Sequence, residues 1–131
     1  MPVHDSRADG HEIDEILTEW EPDAVYVEHT QAMPKNGSIA SYSLGLNTGI
    51  VIGVVQANGF RMVRVRPAEW KKKMGLTGKD KNASRGLATE LFPDFANSFK
   101  LVKSDGLAEA CLIARYGAFT EFANTYVGER A

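Results

Sequence analysis

The stretch "VYVEHTQAMPKNG", residues 25–37, decides how the fold is read, because an apolar run ends there on an acid. Residues 25–27 are β-branched and aromatic, which is typical of a buried strand, and Glu28 follows them directly. A polar segment containing Gly37 comes next and indicates a loop. Ligands bind at the carboxyl ends of strands in open α/β sheets. Glu28 is therefore a solvated strand end, the partner of a lysine, or an acid that holds a ligand.

Helical and strand patterns flank this stretch. In "HEIDEILTEW", residues 11–20, apolar residues recur at helical spacing and predict an amphipathic helix. Residues 38–58 predict a second helix, with Gly59 as its C-terminal stop. "FRMVRVRP", residues 60–67, alternates apolar and basic residues, as a strand with one solvated face does. The order strand, helix, strand predicts a parallel pair joined by a crossover helix.

Three further helices are predicted in the C-terminal half. Pro67 suits a first helical turn and opens "PAEWKKKMG", residues 67–75. The second is "NASRGLATELF", residues 82–92, and the last is "SDGLAEACLIARYGAFTEFANTY", residues 104–126. With 131 residues and no repeat or linker, the whole chain is predicted to form a single α/β domain.

Three glycines recur every fourth residue in the helix predicted over residues 38–58. Gly45, Gly49 and Gly53 therefore share one helix face. Glycine lowers helix stability, so some compensating contact is expected. The pattern predicts close packing of this face on the sheet.

The composition is that of an ordinary globular protein, but the charge is unevenly distributed. The hydrophobic and charged fractions are 44% and 24%, and the formal net charge of -2 does not by itself indicate nucleic-acid or membrane binding. The first 28 residues are acidic, whereas nine of the 15 basic residues fall within residues 61–85. These nine are Arg61, Arg64, Arg66, Lys71, Lys72, Lys73, Lys79, Lys81 and Arg85. The asymmetry predicts one basic surface on an otherwise acidic protein.

The single cysteine and the apolar runs predict a reducing, non-membrane setting. Cys111 alone excludes an intrachain disulfide and a multi-cysteine zinc site, and we expect it to be a small core residue. The N-terminus is polar, and "GIVIGVV", residues 49–55, is short for a membrane span. We therefore expect a cytoplasmic protein.

Two acids of the last predicted helix lie on one face. Asp105 and Glu109 are four residues apart, and Leu112 and Ile113 continue the same stripe toward the core. A buried carboxylate without a partner costs several kcal/mol, so Glu109 is expected to be paired or to bind metal. Asp105 has a second explanation, because an acid in a first helical turn interacts favourably with the helix dipole.

If the last helix packs beside the strand that ends at Glu28, three carboxylates converge. Carboxylates in one place remain ionised together only with cations between them. All-oxygen ligands suit Mg²⁺ or Mn²⁺ and not zinc. Two such ions are a usual device for phosphodiester cleavage. The sequence therefore predicts a metal site built from Glu28, Asp105 and Glu109.

Three segments in unbroken order resemble the RuvC family of Holliday junction resolvases, within the ribonuclease H-like superfamily. They are "VYVEHTQAMPKNGSIASYSLGLNTGIVIGVV", "VRPAEWKKKMGLTGKDKNASRGLATELFPD" and "KSDGLAEACLIARYG". The resemblance is to the compact phage and prophage type, and covers roughly residues 24–117. It implies a ribonuclease H-like fold with a mixed sheet flanked by helices. It also implies a Mg²⁺-dependent endonuclease that resolves four-way DNA junctions as a homodimer in a bacterial or phage-infected cell.

The resemblance also implies roles for individual residues. Glu28 matches the acid at the end of the family's fourth strand, and Glu109 matches its last acid. Asp105 is similar to the acid or histidine one turn earlier, although the family usually spaces that pair by three residues. Gln31 stands where the family often has an aromatic wedge. Lysines that contact DNA and assist cleavage match Lys71 and Lys81, and further phosphate contacts match Lys72, Lys73, Lys79 and Arg85.

The front of the chain departs from the family pattern. Ribonuclease H-like nucleases begin with a strand that carries a catalytic Asp, whereas "MPV", residues 1–3, is similar to the family's third strand. The resemblance thus predicts that residues 1–131 lack the first two strands and that Asp5 does not replace the missing ligand. The strand at residues 24–28 would then have an unpaired edge that favours pairing with another chain.

Several functions stay open at this point. The chain is a metal-dependent nuclease, a DNA-binding remnant without cleavage, or a non-catalytic α/β domain whose acids pair with basic residues. Ribonuclease H activity on RNA–DNA hybrids is a fourth candidate within the same superfamily. Divalent-metal-dependent nicking separates the first from the second, and the effect of removing single acids on stability separates the third.

Overall fold

The computed structural model describes residues 3–4, 7–31 and 33–130, with side-chain surroundings for residues 7–31 and 33–123. The chain divides into two compact units, Met1–Arg64 and Val65–Ala131. It is a mixed α/β protein, as the sequence predicts. The presence of one domain stays a prediction.

The first unit holds two short strand pairs and two helices. Strand β1 (Val3–His4) pairs antiparallel with β2 (Arg7–Ala8), and helix α1 spans Gly10–Trp20. Strand β3 (Val25–Glu28) and strand β4 (Met62–Val65) form a second, parallel pair joined by helix α2 (Ser38–Ala57). The predicted strand, helix, strand order is therefore confirmed.

Local chemistry sets where the helices of this unit begin and end. Asp9 caps the N-terminus of α1, because its Oδ1 accepts from the Glu12 N–H at 3.1 Å, and Glu21 follows the helix in a left-handed conformation with φ 46°. Helix α2 stops at Asn58, and Gly59 follows with φ 75°, a conformation that glycine adopts without strain. The predicted role of Gly59 as a helix stop is confirmed.

The core of the first unit lies between its two helices and the β3–β4 pair. Ala8, Ile13, Leu17 and Val55 are buried, and Val25, Ile50, Val51, Val54, Phe60 and Met62 pack against them. Two side-chain hydrogen bonds connect the elements that surround this core. The Ala8 N–H donates to Asn47 Oδ1 at 2.8 Å, and the Asn58 amide donates to Asp14 Oδ1 at 2.7 Å.

The glycine face of α2 does not pack as predicted. A Cβ built at Gly45, Gly49 or Gly53 would meet no atom of the described chain within 4 Å. The helix buries its other side, from which Ile50, Val54 and Val55 reach the core. The prediction of close packing on a sheet is therefore wrong, because the glycines and the core residues occupy different faces.

Helix α2 is also longer and more apolar than the short run "GIVIGVV" indicated. It has 20 residues and no charged side chain, so by length and composition alone it could cross a membrane. One such helix is weak evidence, since core helices of globular proteins meet the same criterion.

Strand β3 is paired with β4, and the unpaired edge anticipated for it stays a prediction. The Val25 N–H donates to the Arg61 carbonyl at 2.8 Å on the β4 side, and the sheet contains two strands in the part of the chain that the structure describes. Strand β1 begins at Val3, within the segment predicted to be a strand, whereas Met1, Pro2 and Asp5 lie outside the described residues. The pattern analysis missed strand β2.

The second unit is helical. It contains α3 (Pro67–Lys73), α4 (Lys81–Leu91), two 3₁₀ segments (Pro93–Phe99 and Val102–Ser104) and α5 (Asp105–Arg130). Helices α3 and α4 both pack on α5, where Trp70 and Leu112 are fully buried. All three predicted helices are confirmed. Cys111 is only half-buried, so the prediction that it is a core residue is wrong; the neighbouring Leu112 fills the core instead.

Candidate functional site

The two acids of α5 lie at its N-terminal end. Asp105 is the first residue of the helix, directly after the 3₁₀ segment Val102–Ser104, and Glu109 follows one turn later. Both side chains are half-buried, while Ala108 and Leu112 beside them are fully buried. The helix therefore presents its two acids at the margin of the hydrophobic core, as their spacing predicts.

Asp105 faces an arginine of the neighbouring helix. Asp105 Oδ1 lies 2.9 Å from Arg85 Nε of α4, and the two side chains are 15% and 14% exposed. At this separation and burial the attraction is screened much less than at a free surface. Asp105 therefore has a resident cationic partner in this structure.

The two atoms are close, yet their contact does not meet the geometry of a hydrogen bond. Arg85 Nε and Asp105 Oδ1 are both buried, and neither atom forms a hydrogen bond of good geometry. The contact is thus an ion pair held mainly by charge. A buried polar atom without a well-aligned hydrogen bond costs free energy. The Asp105 oxygen is paired electrostatically while its hydrogen-bonding capacity is unused.

The rest of the Arg85 guanidinium is held by its own unit. Arg85 Nη1 donates to the Lys100 carbonyl at 2.9 Å, and Nη2 contacts the Asn82 side-chain oxygen one helical turn away. Three different parts of the guanidinium therefore contact protein groups. The phosphate-contact role of Arg85 stays a prediction, but its head group is turned toward protein partners.

The predicted lysines are mostly at the surface. Lys72, Lys73, Lys79 and Lys81 are exposed, and Lys71 is half-buried. Lys71 Nζ lies 5.6 Å from the Trp70 ring centroid, and Lys73 Nζ lies 4.6 Å from that of Phe119. Both distances permit cation–π attraction, which orients these two ammonium groups.

Two lysines flank the N-terminus of α4. Asp80 caps the helix by accepting from the Ala83 N–H at 3.1 Å, and Lys79 and Lys81 stand on either side of the cap. The positive end of a helix dipole disfavours lysine and favours anions. These lysines are therefore poorly placed for helix stability and well placed to hold a phosphate group.

Glu28 ends β3 and is half-buried. It belongs to the first unit, whereas Asp105 and Glu109 belong to the second. The structure brings Asp105 and Glu109 together on one helix. The convergence of all three acids stays a prediction. Gln31 lies in the loop after β3 and is exposed.

The α5 acids are the donors that suit a hard divalent cation. Within either unit, the described residues hold no cluster of three or more His, Cys, Asp or Glu side chains. Mg²⁺ nevertheless keeps several waters and is commonly bound by one or two carboxylates together with substrate phosphates. The chemistry of Asp105 and Glu109 therefore fits Mg²⁺ bound partly through water.

Pattern analysis missed the groups that surround these predicted residues. Asn82 and the Lys100 carbonyl hold Arg85, and Phe119 orients Lys73. The three-residue spacing of Asn82 and Arg85 is a signal that could have been used. No sequence signal marks the pairing of Arg85 with Asp105, because the two residues lie on separate helices.

Comparison with known proteins gives one informative similarity. The chain is 37% identical over 92 residues to "Holliday junction resolvase MOC1, chloroplastic" from Chlamydomonas reinhardtii. The aligned part is 70% of this chain and 10% of that protein, so the chain spans about a tenth of the length of the relative it matches. No family model matches the chain. The similarity is to a chloroplastic protein of a eukaryote, so it supports a resolvase and does not support the phage or prophage type expected from the sequence.

Proposed function

We propose that the chain is a metal-dependent, structure-selective DNA endonuclease that resolves four-way junctions. The observation that carries this proposal is the 37% identity, over 70% of the chain, to a protein named as a Holliday junction resolvase. The resemblance of residues 24–117 to the RuvC family points to the same substrate. A ribonuclease H-like fold and a homodimer belong to the same proposal.

The acids of α5 supply the chemistry under this proposal. Asp105 and Glu109 share one helix face, and Glu28 is the third acid, contributed by the end of β3. These carboxylates would hold Mg²⁺ or Mn²⁺, which would supply activation of water and stabilisation of the leaving oxygen. Helix α5 holds the carboxylate oxygens of Asp105 and Glu109 at the edge of the buried core of the second unit.

The exposed lysines supply affinity for DNA. Lys79 and Lys81 flank the positive end of α4, and Lys72 and Lys73 lie on α3 of the same unit. Contacts of this kind neutralise phosphates and position the duplex, and they carry no sequence information. Under this proposal Lys71 and Lys81 also assist cleavage. The substrate is a branched DNA in a cytoplasmic setting.

A second candidate is a junction-binding protein that does not cut. The observation in its favour is the ion pair of Asp105 with Arg85, which already neutralises one of the proposed catalytic acids. Under this alternative the lysines retain their function and the acids stabilise the fold. Binding and cleavage must therefore be measured separately.

The test uses the 131-residue chain and a labelled four-way junction, with EDTA or with Mg²⁺. We expect a shifted band in both conditions and symmetric nicks only with Mg²⁺. Glu109→Gln should abolish nicking and retain the shifted band, whereas Glu90→Gln, an exposed acid on α4, should leave both unchanged. A shifted band without nicking under any divalent cation would favour the non-cutting alternative, and no shift would contradict both.

A further inference from the structure

We propose that Arg85 is the resident counter-ion of Asp105 and thereby sets how tightly the α5 acids bind a divalent cation. The inference rests in part on the proposed function, since it assumes that Asp105 can accept such a cation. Arg85 would thus weaken cation binding by competing for Asp105, a role distinct from the phosphate contact that the family resemblance implies.

Arg85 and a divalent cation would compete for the carboxylate of Asp105. Arg85 Nε lies 2.9 Å from Asp105 Oδ1, within the range of contacts between a guanidinium and a carboxylate. A cation close to Asp105 would bring a second positive centre beside the guanidinium. Like charges at such distances repel in a partly dehydrated site.

Arg85 is held in position from behind. Its Nη1 donates to the Lys100 carbonyl and its Nη2 contacts Asn82. These two contacts hold the guanidinium beside Asp105 independently of the carboxylate. A planar, always charged head group fixed in this way loses little further freedom when it pairs. Asn82 is consequently a positioning residue for the pair.

The contact between Arg85 and Asp105 lacks good hydrogen-bond geometry. Arg85 Nε and Asp105 Oδ1 are buried, and neither makes a well-aligned hydrogen bond. A pair that gains charge attraction without good hydrogen bonds is easier to exchange than a bidentate one. The geometry therefore suits a carboxylate that is neutralised in the metal-free protein and can still turn toward a cation.

The experiment measures Ca²⁺ binding to the full chain by titration calorimetry, without DNA and without a cleavage step. Arg85→Gln should lower the Kd for Ca²⁺ by at least about fivefold, because a neighbouring positive charge has been removed from the carboxylate. Lys100→Gln is the matched control, since it removes an exposed positive charge of the same unit and leaves the Lys100 carbonyl in place. We expect Lys100→Gln to change the Kd by less than about twofold, because exposed charges are screened by solvent and salt.

A double variant ties the gain to the acid. In the Asp105→Asn background, Arg85→Gln should give no gain in Ca²⁺ affinity, because the competing carboxylate is absent. An equal gain with and without Asp105 would overturn the proposal, as would an Arg85→Gln Kd no lower than that of Lys100→Gln. Circular dichroism of each variant checks that it is folded.

A milder variant covers the case in which Arg85→Gln does not fold. Asn82→Ala keeps the charge of Arg85 and removes one of its supports, so we expect a decrease in Kd of about threefold, smaller than for Arg85→Gln and larger than for the Lys100→Gln control. An unchanged Kd in Asn82→Ala would then overturn the proposal. Failure of nicking in the junction assay contradicts the proposed nuclease and leaves this binding result standing, so the two failures are distinguishable.

Discussion

Lys73 Nζ of α3 lies 4.6 Å from the centroid of the Phe119 ring of α5. The contact joins a lysine of the predicted DNA surface to an aromatic side chain that is 53% exposed. The charge of Lys73 therefore has two possible roles, since it can stabilise the fold through the ring or bind DNA through a phosphate.

The two explanations predict different results for Phe119→Leu and Lys73→Gln. Loss of an exposed cation–π contact should lower the free energy of unfolding by about 0.5–1 kcal/mol in either variant. Only Lys73→Gln should weaken junction binding, because only it removes a charge. Urea unfolding and fluorescence anisotropy measure the two effects. Equal loss of junction affinity in Phe119→Leu would show that the ring orients Lys73 toward DNA.

Asp105→Asn should lower the stability of the metal-free protein. The substitution leaves the Arg85 guanidinium partly buried without its counter-ion, and we expect a loss of roughly 1–3 kcal/mol. Thermal and urea unfolding in EDTA measure this loss. Glu90→Gln on the exposed side of α4 is the control and should change stability by less than about 0.5 kcal/mol. A more stable Asp105→Asn protein would instead indicate that Asp105 is repelled by neighbouring acids.

Gly49→Ala should stabilise the chain. No atom of the described residues lies within 4 Å of a Cβ built at Gly49, and alanine is favoured over glycine inside a helix by about 0.5–1 kcal/mol. Gly59→Ala is the contrasting variant, because Gly59 has φ 75° and a side chain there is strained. A rise in Tm for Gly49→Ala and a fall for Gly59→Ala are expected. A fall in both would mean that another molecule covers the glycine face in solution, and sedimentation would test for a dimer.

The pH dependence of Cys111 follows from its burial. Desolvation raises the pKa of the Cys111 thiol, so the native thiolate forms at higher pH than in the unfolded chain. This contribution to stability is fully present below the unfolded pKa and is lost as pH rises through the folded pKa. Iodoacetamide labelling between pH 7 and pH 10, measured by mass spectrometry in buffer and in urea, should show slower native labelling. Equal rates at every pH would contradict this.

Much of the fold follows from local sequence signals. Pro67 opens α3 and Gly59 ends α2, and the spacing of apolar residues predicts α1 and α5, because caps and periodicity act over a few residues. Strand β2 was missed because two residues, Arg7–Ala8, carry no periodic pattern. It is held by a hydrogen bond that its Ala8 N–H donates to Asn47 Oδ1, 39 residues away in the sequence.

The sequence predicts which residues belong to the candidate site and does not predict which of them contact each other. The acids of α5 stand out because they lie at helical spacing beside apolar residues. The glycine face was misread, since periodicity shows that residues share a face and does not show what that face contacts. In the same way, a charge count predicts a basic surface and does not reveal that Arg85 turns inward to Asp105.

Lys81→Gln should weaken junction binding more than the removal of one lysine elsewhere on the surface. Lys81 is the first residue of α4, where the helix dipole and the cap at Asp80 concentrate positive potential. Loss of one phosphate contact should reduce the slope of log K against log salt by about 1 and should act equally on junctions of different sequence. Fluorescence anisotropy on two unrelated junctions, at several salt concentrations, measures both properties.

Lys35→Gln is the matched control for Lys81→Gln. Lys35 is exposed in the loop between β3 and α2, three residues before α2 begins, and it lies outside the basic segment of residues 61–85. We expect its removal to leave the salt slope unchanged. Removing Lys81 should also stabilise α4 slightly, because the positive charge of the lysine interacts unfavourably with the helix dipole. A loss of junction binding with an unchanged or higher Tm would therefore indicate a lost DNA contact and not a folding defect. Equal effects of Lys35→Gln and Lys81→Gln on the slope would mean that net charge alone, and not the α4 N-terminus, attracts the DNA.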